Sequence, residues 1–114
     1  AVNGFGTTLF LGCANSSLSA INITTPATPT LTGTFATGAA VNDIIFNPAN
    51  TLAFIGTSSA TLEFQAIDIS VLTAMSLRGS LNTVNTINGL AYDTVRDKII
   101  AVTSNTSGEL IIIQ

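Results

Sequence analysis

Shifting the sequence by 46 residues lays 20-AINITTPATPTLTGTFATGAAVNDIIFNP-48 over 66-AIDISVLTAMSLRGSLNTVNTINGLAYDT-94 without a gap. Ala20/Ala66, Ile21/Ile67, Ile23/Ile69, Leu31/Leu77, Gly33/Gly79, Thr37/Thr83 and Asn42/Asn88 are identical across that shift. Asn22/Asp68, Val41/Ile87, Ile44/Leu90 and Phe46/Tyr92 keep size or chemistry. The same shift carries 57-TSSATLEFQAID-68 onto 103-TSNTSGELIIIQ-114, including Glu63/Glu109. Upstream, 8-TLFLG-12 resembles 52-LAFIG-56 at a shift of 44, so one loop is two residues shorter. A chain that repeats itself in one register folds as copies of one supersecondary unit, each burying its apolar face against the next.

Within a repeat the apolar stretches are short, rich in Val, Ile, Phe and Thr, and separated by Gly, Asn, Ser and Pro clusters. That is a strand-and-turn pattern, and no segment keeps the 3.6-residue spacing of a helix. Strands are expected near 8-13, 18-23, 31-36, 40-46, 52-57, 62-69, 76-82, 86-92, 98-103 and 109-114. Four such strands make one repeat. The expected fold is therefore all-β, built of four-stranded antiparallel blades of about 46 residues, as in part of a β-propeller. Runs such as DIIF and III blur the alternation, as strands covered on both faces do. A two-sheet β-sandwich is the alternative, but it predicts no fixed period. The chain divides into a partial blade over 7-36, a complete blade over 40-82 and a partial blade over 86-114. Gly33 and Gly79, inside strand contexts, should share one backbone setting, at a bulge or a close approach of sheets.

The segments LAFIGTSSATLEFQAIDIS, AINITTPATPTLTG and AVTSNTSGELIIIQ together resemble the LVIVD-repeat group of bacterial and archaeal surface β-propellers. The resemblance covers nearly all of residues 7 to 114. It implies that 40-46 and 86-92 are innermost strands, and it specifies no reaction. ISVLTAM departs from the pattern by lacking the prolines that Pro26 and Pro29 supply in the first copy, and IIIQ ends where the pattern would continue.

Composition limits the chemistry. With no His, the chain has no Ser-His-Asp triad, no Cys-His pair and no imidazole metal ligand. Only Arg78, Arg96 and Lys98 are basic and the net charge is −3, which argues against a phosphate-binding surface, so nucleic acid is not an expected partner. No run approaches the roughly 20 apolar residues of a membrane-spanning helix. Residues before Asp43 carry no charge, so Ala1 reads as a mature or excised N-terminus. Thr, Ser and Asn fill 38 of the 114 positions, a charge-poor polar surface suited to an extracellular or cell-surface place.

Candidate residues are few. Asp43, in VNDIIF, is a possible ligand contact at a channel mouth, or else a strand residue satisfying backbone amides. Glu63 and Glu109 recur with the repeat, as do Asn22 and Asp68. Paired carboxylates can hydrolyse glycosides when about 5–10 Å apart, but repeated carboxylates more often satisfy local donors. Asp93, Arg96, Asp97 and Lys98 crowd a turn that lacks the D-x-D-x-D-G order of a Ca²⁺ loop. Three glycosylation sequons occur, of which Asn15 and Asn105 fall in expected loops, while Asn22 at a strand end has a local hydrogen-bonding role. Cys13, the sole cysteine, reads as a buried small apolar residue, with an intersubunit thiol as the alternative.

These observations point to a noncatalytic surface protein for assembly, adhesion or recognition, with no catalytic residues, metal or cofactor assigned; a propeller-frame glycan lyase or hydrolase is the alternative. Its expected partners are further blades of a longer parent chain or other copies of itself, in a fibre or ring, with a possible glycan.

Overall fold

The computed structural model describes residues 1–113, and the expected strand end at Gln114 lies outside them. The described residues form ten strands: β1 (Thr8–Cys13), β2 (Ser17–Asn22), β3 (Thr30–Ala36), β4 (Val41–Phe46), β5 (Leu52–Thr57), β6 (Phe64–Asp68), β7 (Ser76–Leu81), β8 (Ile87–Asp93), β9 (Lys98–Thr103) and β10 (Leu110–Ile113). One short 3-10 helix, Leu72–Ala74, was not expected from the sequence. It follows the serine that ends IDIS and occupies the stretch where the second repeat lacks the prolines of the first.

Every pairing is antiparallel between neighbours in the chain, giving three sheets: β1-β2-β3, β4-β5-β6-β7 and β8-β9-β10. A sandwich would divide these strands between two sheets. Three independent hairpins share one register, with Phe10 opposite Ala20, Phe54 opposite Ala66 and Ile100 opposite Ile112. The repeat is thus a repeat of pairing as well as of sequence.

Irregularities recur too. The β2–β3 ladder slips between Ala20 and Ile21, so that Gly33 pairs with Ala20 and Leu31 with Ile21. The β6–β7 ladder slips identically, with Gly79 opposite Ala66 and Leu77 opposite Ile67. Both glycines therefore follow a bulged residue, as expected of glycine inside a strand. Bulges also interrupt β4 between Val41 and Asp43 and β8 between Ile87 and Gly89.

The sheets stack face to face, and apolar alternation decides which residues meet. Between the first two sheets, Phe10, Leu18 and Ala20 of one pack with Ala53, Ile55, Ile67 and Ile69 of the other. Between the second and third, Phe54 and Phe64 pack with Ile87, Ile99 and Ala101. Odd and even residues of β5 and β6 consequently serve different cores, which explains why LAFIG and FQAID read as runs. Outer strand β7 is exposed throughout. Burial of this kind contributes about 25 cal/mol per Å² of apolar surface, so the two cores are what hold the stack together. First strands lie close to one another, β4 against β8 and β1 against β4, while at the outer side the 3-10 helix covers β3.

Candidate functional site

The polar residues that recur with the repeat are wired to the backbone. Thr37 Oγ1 donates to Ala39 O at 2.7 Å, and Thr83 Oγ1 to Asn85 O at 2.9 Å. Thr57 Oγ1 donates to Leu62 O, and Thr103 Oγ1 to Gly108 O. Asn22 Oδ1 accepts the N–H of Thr24 at 2.9 Å, and Asp68 Oδ1 that of Ser70 at the same distance. The Ser70 amide and hydroxyl hold the Asp68 carboxyl below its ordinary range. Exposed Asn22 thus has the local role expected of it.

A further pair escaped sequence reading. Asn47 Oδ1 accepts from the N–H groups of Thr51 and Leu52, both at 2.9 Å, and its Nδ2 donates to Thr51 Oγ1. Asn3 does the same with Thr7 and Thr8. The repeat therefore reaches back to Asn3, and the detectable signal was Asn-x-x-x-Thr at the 44-residue shift that aligns 8-12 with 52-56. Ala1 and Val2 run beside β1, Ala1 exchanging backbone hydrogen bonds with Phe10, in the place that β4 holds beside β5.

Asp43 sits at the β4 bulge, facing the next sheet. Its Oδ1 accepts the Ile44 N–H at 2.9 Å and its Oδ2 the Leu90 N–H at 2.7 Å. Neighbouring Asn42 donates from Nδ2 to Ile87 O at 2.9 Å. At Gly89, the counterpart of Asp43, a Cβ would crowd Val102 Cγ2 at 3.0 Å and would only touch Asp43 Oδ2, at 4.0 Å. Two consecutive side chains of β4 thus tie two sheets through the backbone of β8. Asp43 also borders a cleft of about 260 Å³ beside Ala1, Phe10, Leu11 and Gly12.

Glu63 and Glu109 differ despite their equivalence. Glu63 is fully buried, its Oε2 accepting the Thr83 N–H at 3.0 Å, while Oε1 has no protein partner. Glu109 is exposed, immediately before β10. What survives of their equivalence is in the backbone, where each carbonyl accepts from a threonine amide, Thr57 or Thr103.

The charged turn is local. Arg96 Nη1 meets Asp93 Oδ2 at 2.8 Å, and this contact holds the Asp93 carboxyl below its ordinary range. Tyr92 donates its hydroxyl to Asp97, which pushes the phenol above its ordinary value. Asn15 is exposed at the β1–β2 turn, its Oδ1 accepting from Ser17 Oγ, and half-buried Asn105 accepts from the N–H and hydroxyl of Ser107. Cys13 corrects the expectation of a buried residue: it is only partly covered, because odd-numbered residues of β1 point away from the inter-sheet core.

The largest departure from an ordinary surface is apolar. On the outward face of the first sheet, Leu11 is 41% exposed and Leu31 64%, and on that of the third sheet, Val102 is 45%, Leu110 61% and Ile112 60% exposed. No protein-family model matches the chain, and no curated protein matches it in sequence.

Proposed function

We propose that the chain is a noncatalytic β-repeat module of an extracellular or cell-surface protein, an arc of a β-propeller that resembles the LVIVD-repeat group and acts through its faces in assembly, adhesion or recognition. The observation that carries this reading is the pair of exposed apolar faces at the two ends of the stack. The polar residues offer binding surface rather than a reaction centre. Asp43 is engaged with backbone amides, Glu63 is inside, and Glu109 is exposed just before β10. The charge-poor Thr, Ser and Asn surface supports the location, and exposed Asn15 is placed where a glycan could be attached.

Two measurements test this. Antibody labelling of intact source cells should reach the chain without lysis; signal only after lysis would overturn the location. Incubation with a panel of polysaccharides, followed by reducing ends and unsaturated products, should show no turnover. Turnover that disappears in Asp43→Asn would replace this reading with a propeller-frame glycan lyase or hydrolase.

A further inference from the structure

Where the first sheet meets the second, the turn before β1, the β4–β5 turn and the segment after β6 enclose a cleft of about 390 Å³. That volume lies within the range of about 300–1,000 Å³ typical of small-molecule sites. Phe5 lines it and is 72% exposed, the one exposed aromatic among the described residues. The repeat does not ask for a ring there, since Ala49 and Val95 stand at the same place in the next two copies. Nor is the ring on a loose segment. Asn3 accepts from the N–H groups of Thr7 and Thr8, the Gly6 N–H donates to Asn3 O, and the Gly4 N–H donates to Asn50 Oδ1 of the second sheet at 2.7 Å. The segment leading into this turn lies antiparallel to β1, with Ala1 level with Phe10, so it approaches from the end of the strand remote from the cleft.

Polar groups line the same cleft with hydrogen-bonding capacity unused. Thr8 is 6% exposed, and its hydroxyl has no hydrogen-bond partner among the described residues. A buried hydroxyl is normally paired, and the repeat does not ask for this one either, since Leu52 and Lys98 are its counterparts. Thr7 and Thr51 each accept from an asparagine Nδ2 through Oγ1, and neither hydroxyl donates to a described residue. No charged side chain lines the cleft. Ser70 on its wall is bound to the Asp68 carboxylate, which disfavours an anion. The ligand chemistry is therefore neutral, with one flat apolar face and several hydroxyl groups.

We propose that this cleft binds a neutral pyranose unit of a glycan, its C–H face laid on the Phe5 ring and its hydroxyls paired with Thr7, Thr8 and Thr51. This deepens the reading above by naming what is recognised, and it rests on that reading for its noncatalytic character. The cleft between the second and third sheets, of similar size, offers Leu52 in place of Thr8 and Asp97 in place of Thr51, and has no exposed ring. It lacks the features that suit a sugar.

The test is titration of the isotopically labelled chain with cellobiose, maltose, mannobiose and lactose, followed by amide resonances. At least one disaccharide should shift the amides of residues 4–8, 50 and 70 saturably, while those of Lys98 and Ile99 stay in place. Phe5→Ala should weaken that binding about tenfold, and Thr8→Val, which keeps the shape and removes the hydroxyl, about threefold to tenfold. The proposal is overturned if none of the four sugars shifts these amides, if the shifts centre elsewhere, if Phe5→Ala binds as well as the unmodified chain, or if digalacturonate binds more tightly than every neutral disaccharide. Should Thr8→Val fail to fold, Phe5→Ala decides alone, at a position too exposed to carry the core. Absence of binding leaves the noncatalytic reading in place, whereas new reducing ends in the same samples overturn that reading and leave the binding site standing.

Discussion

Gly33 and Gly79 follow the same bulge in equivalent strands, yet only Gly33 is covered: a Cβ there would run into the carbonyl oxygen of Leu72, whereas one on Gly79 would meet nothing within 4 Å. The difference is the 3-10 helix, which packs on β3 and has no counterpart over β7. Gly33→Ala should therefore cost about 1–3 kcal/mol, the usual range for overpacking, and Gly79→Ala less than about 0.5 kcal/mol, as at an open surface position. Urea denaturation of the two variants checks this, and equal costs would contradict it.

Val84 and Gly38 stand at equivalent places in the two repeats, and both have positive φ, 69° and 75°. A β-branched residue in that region is strained. Val84 is also 80% exposed, so its side chain contributes little packing. Val84→Gly should raise stability by about 1 kcal/mol, the lower end of the cost of such a conformation, and Gly38→Val should lower it. Thermal melts of the two variants moving in the same direction would refute this account.

Asp43→Ala removes the acceptor for two N–H groups, those of Ile44 and Leu90. Both bonds are part-buried, so water can replace the carboxylate, and the cost should fall at or below the low end of the about 1–3 kcal/mol of a buried unpaired donor. Because one of these bonds crosses between sheets, hydrogen exchange should accelerate in β8 more than in β5. Unchanged exchange at Leu90 would show that this tie is dispensable.

Tyr92 is the sole tyrosine, so its ionisation can be followed by ultraviolet absorbance alone. Its donation to Asp97 raises the phenol above 10.0. Since the folded value is raised, the stabilising contribution is complete below about pH 10 and lost as pH climbs through the folded value. Asp97→Gly, which also suits the φ of 55° at that residue, should bring the midpoint down toward 10.0. A midpoint that does not move would place the cause elsewhere.

Asp68 and Asp93 are shifted the other way, held low by the Ser70 and Arg96 groups. Depressed carboxyls stabilise above their unfolded value and lose that contribution as pH falls through the folded one. With no His to titrate, the melting temperature should stay level from about pH 5 to 8 and fall below about pH 4, and it should be insensitive to chelators. A several-degree drop with EDTA would reveal a structural cation.

Strand positions were legible because Val, Ile, Phe and Thr cluster between turn formers, and the paired bulges because Gly33 and Gly79 align. The Leu72–Ala74 helix was not legible: VLTAM is too short for a periodic signal, and its place is set by docking on β3. Cys13 was misjudged because LFLGC shows apolar neighbours without showing which face has a sheet against it. The same limit hid the difference between Glu63 and Glu109. They stand at the same place in the repeat, yet Glu63 is buried and takes the Thr83 N–H, whereas Glu109 is exposed. Candidate polar residues were recognised correctly as recurring ones, but their backbone partners lie in turns whose geometry no spacing specifies.

Each sheet in this stack touches only the one before and the one after it. Such an arrangement behaves thermodynamically as a linear chain of coupled units, in which stability is a sum of per-unit and nearest-neighbour terms. The middle sheet has two coupling terms and each end sheet one, so the ends should fray first and the centre should open last.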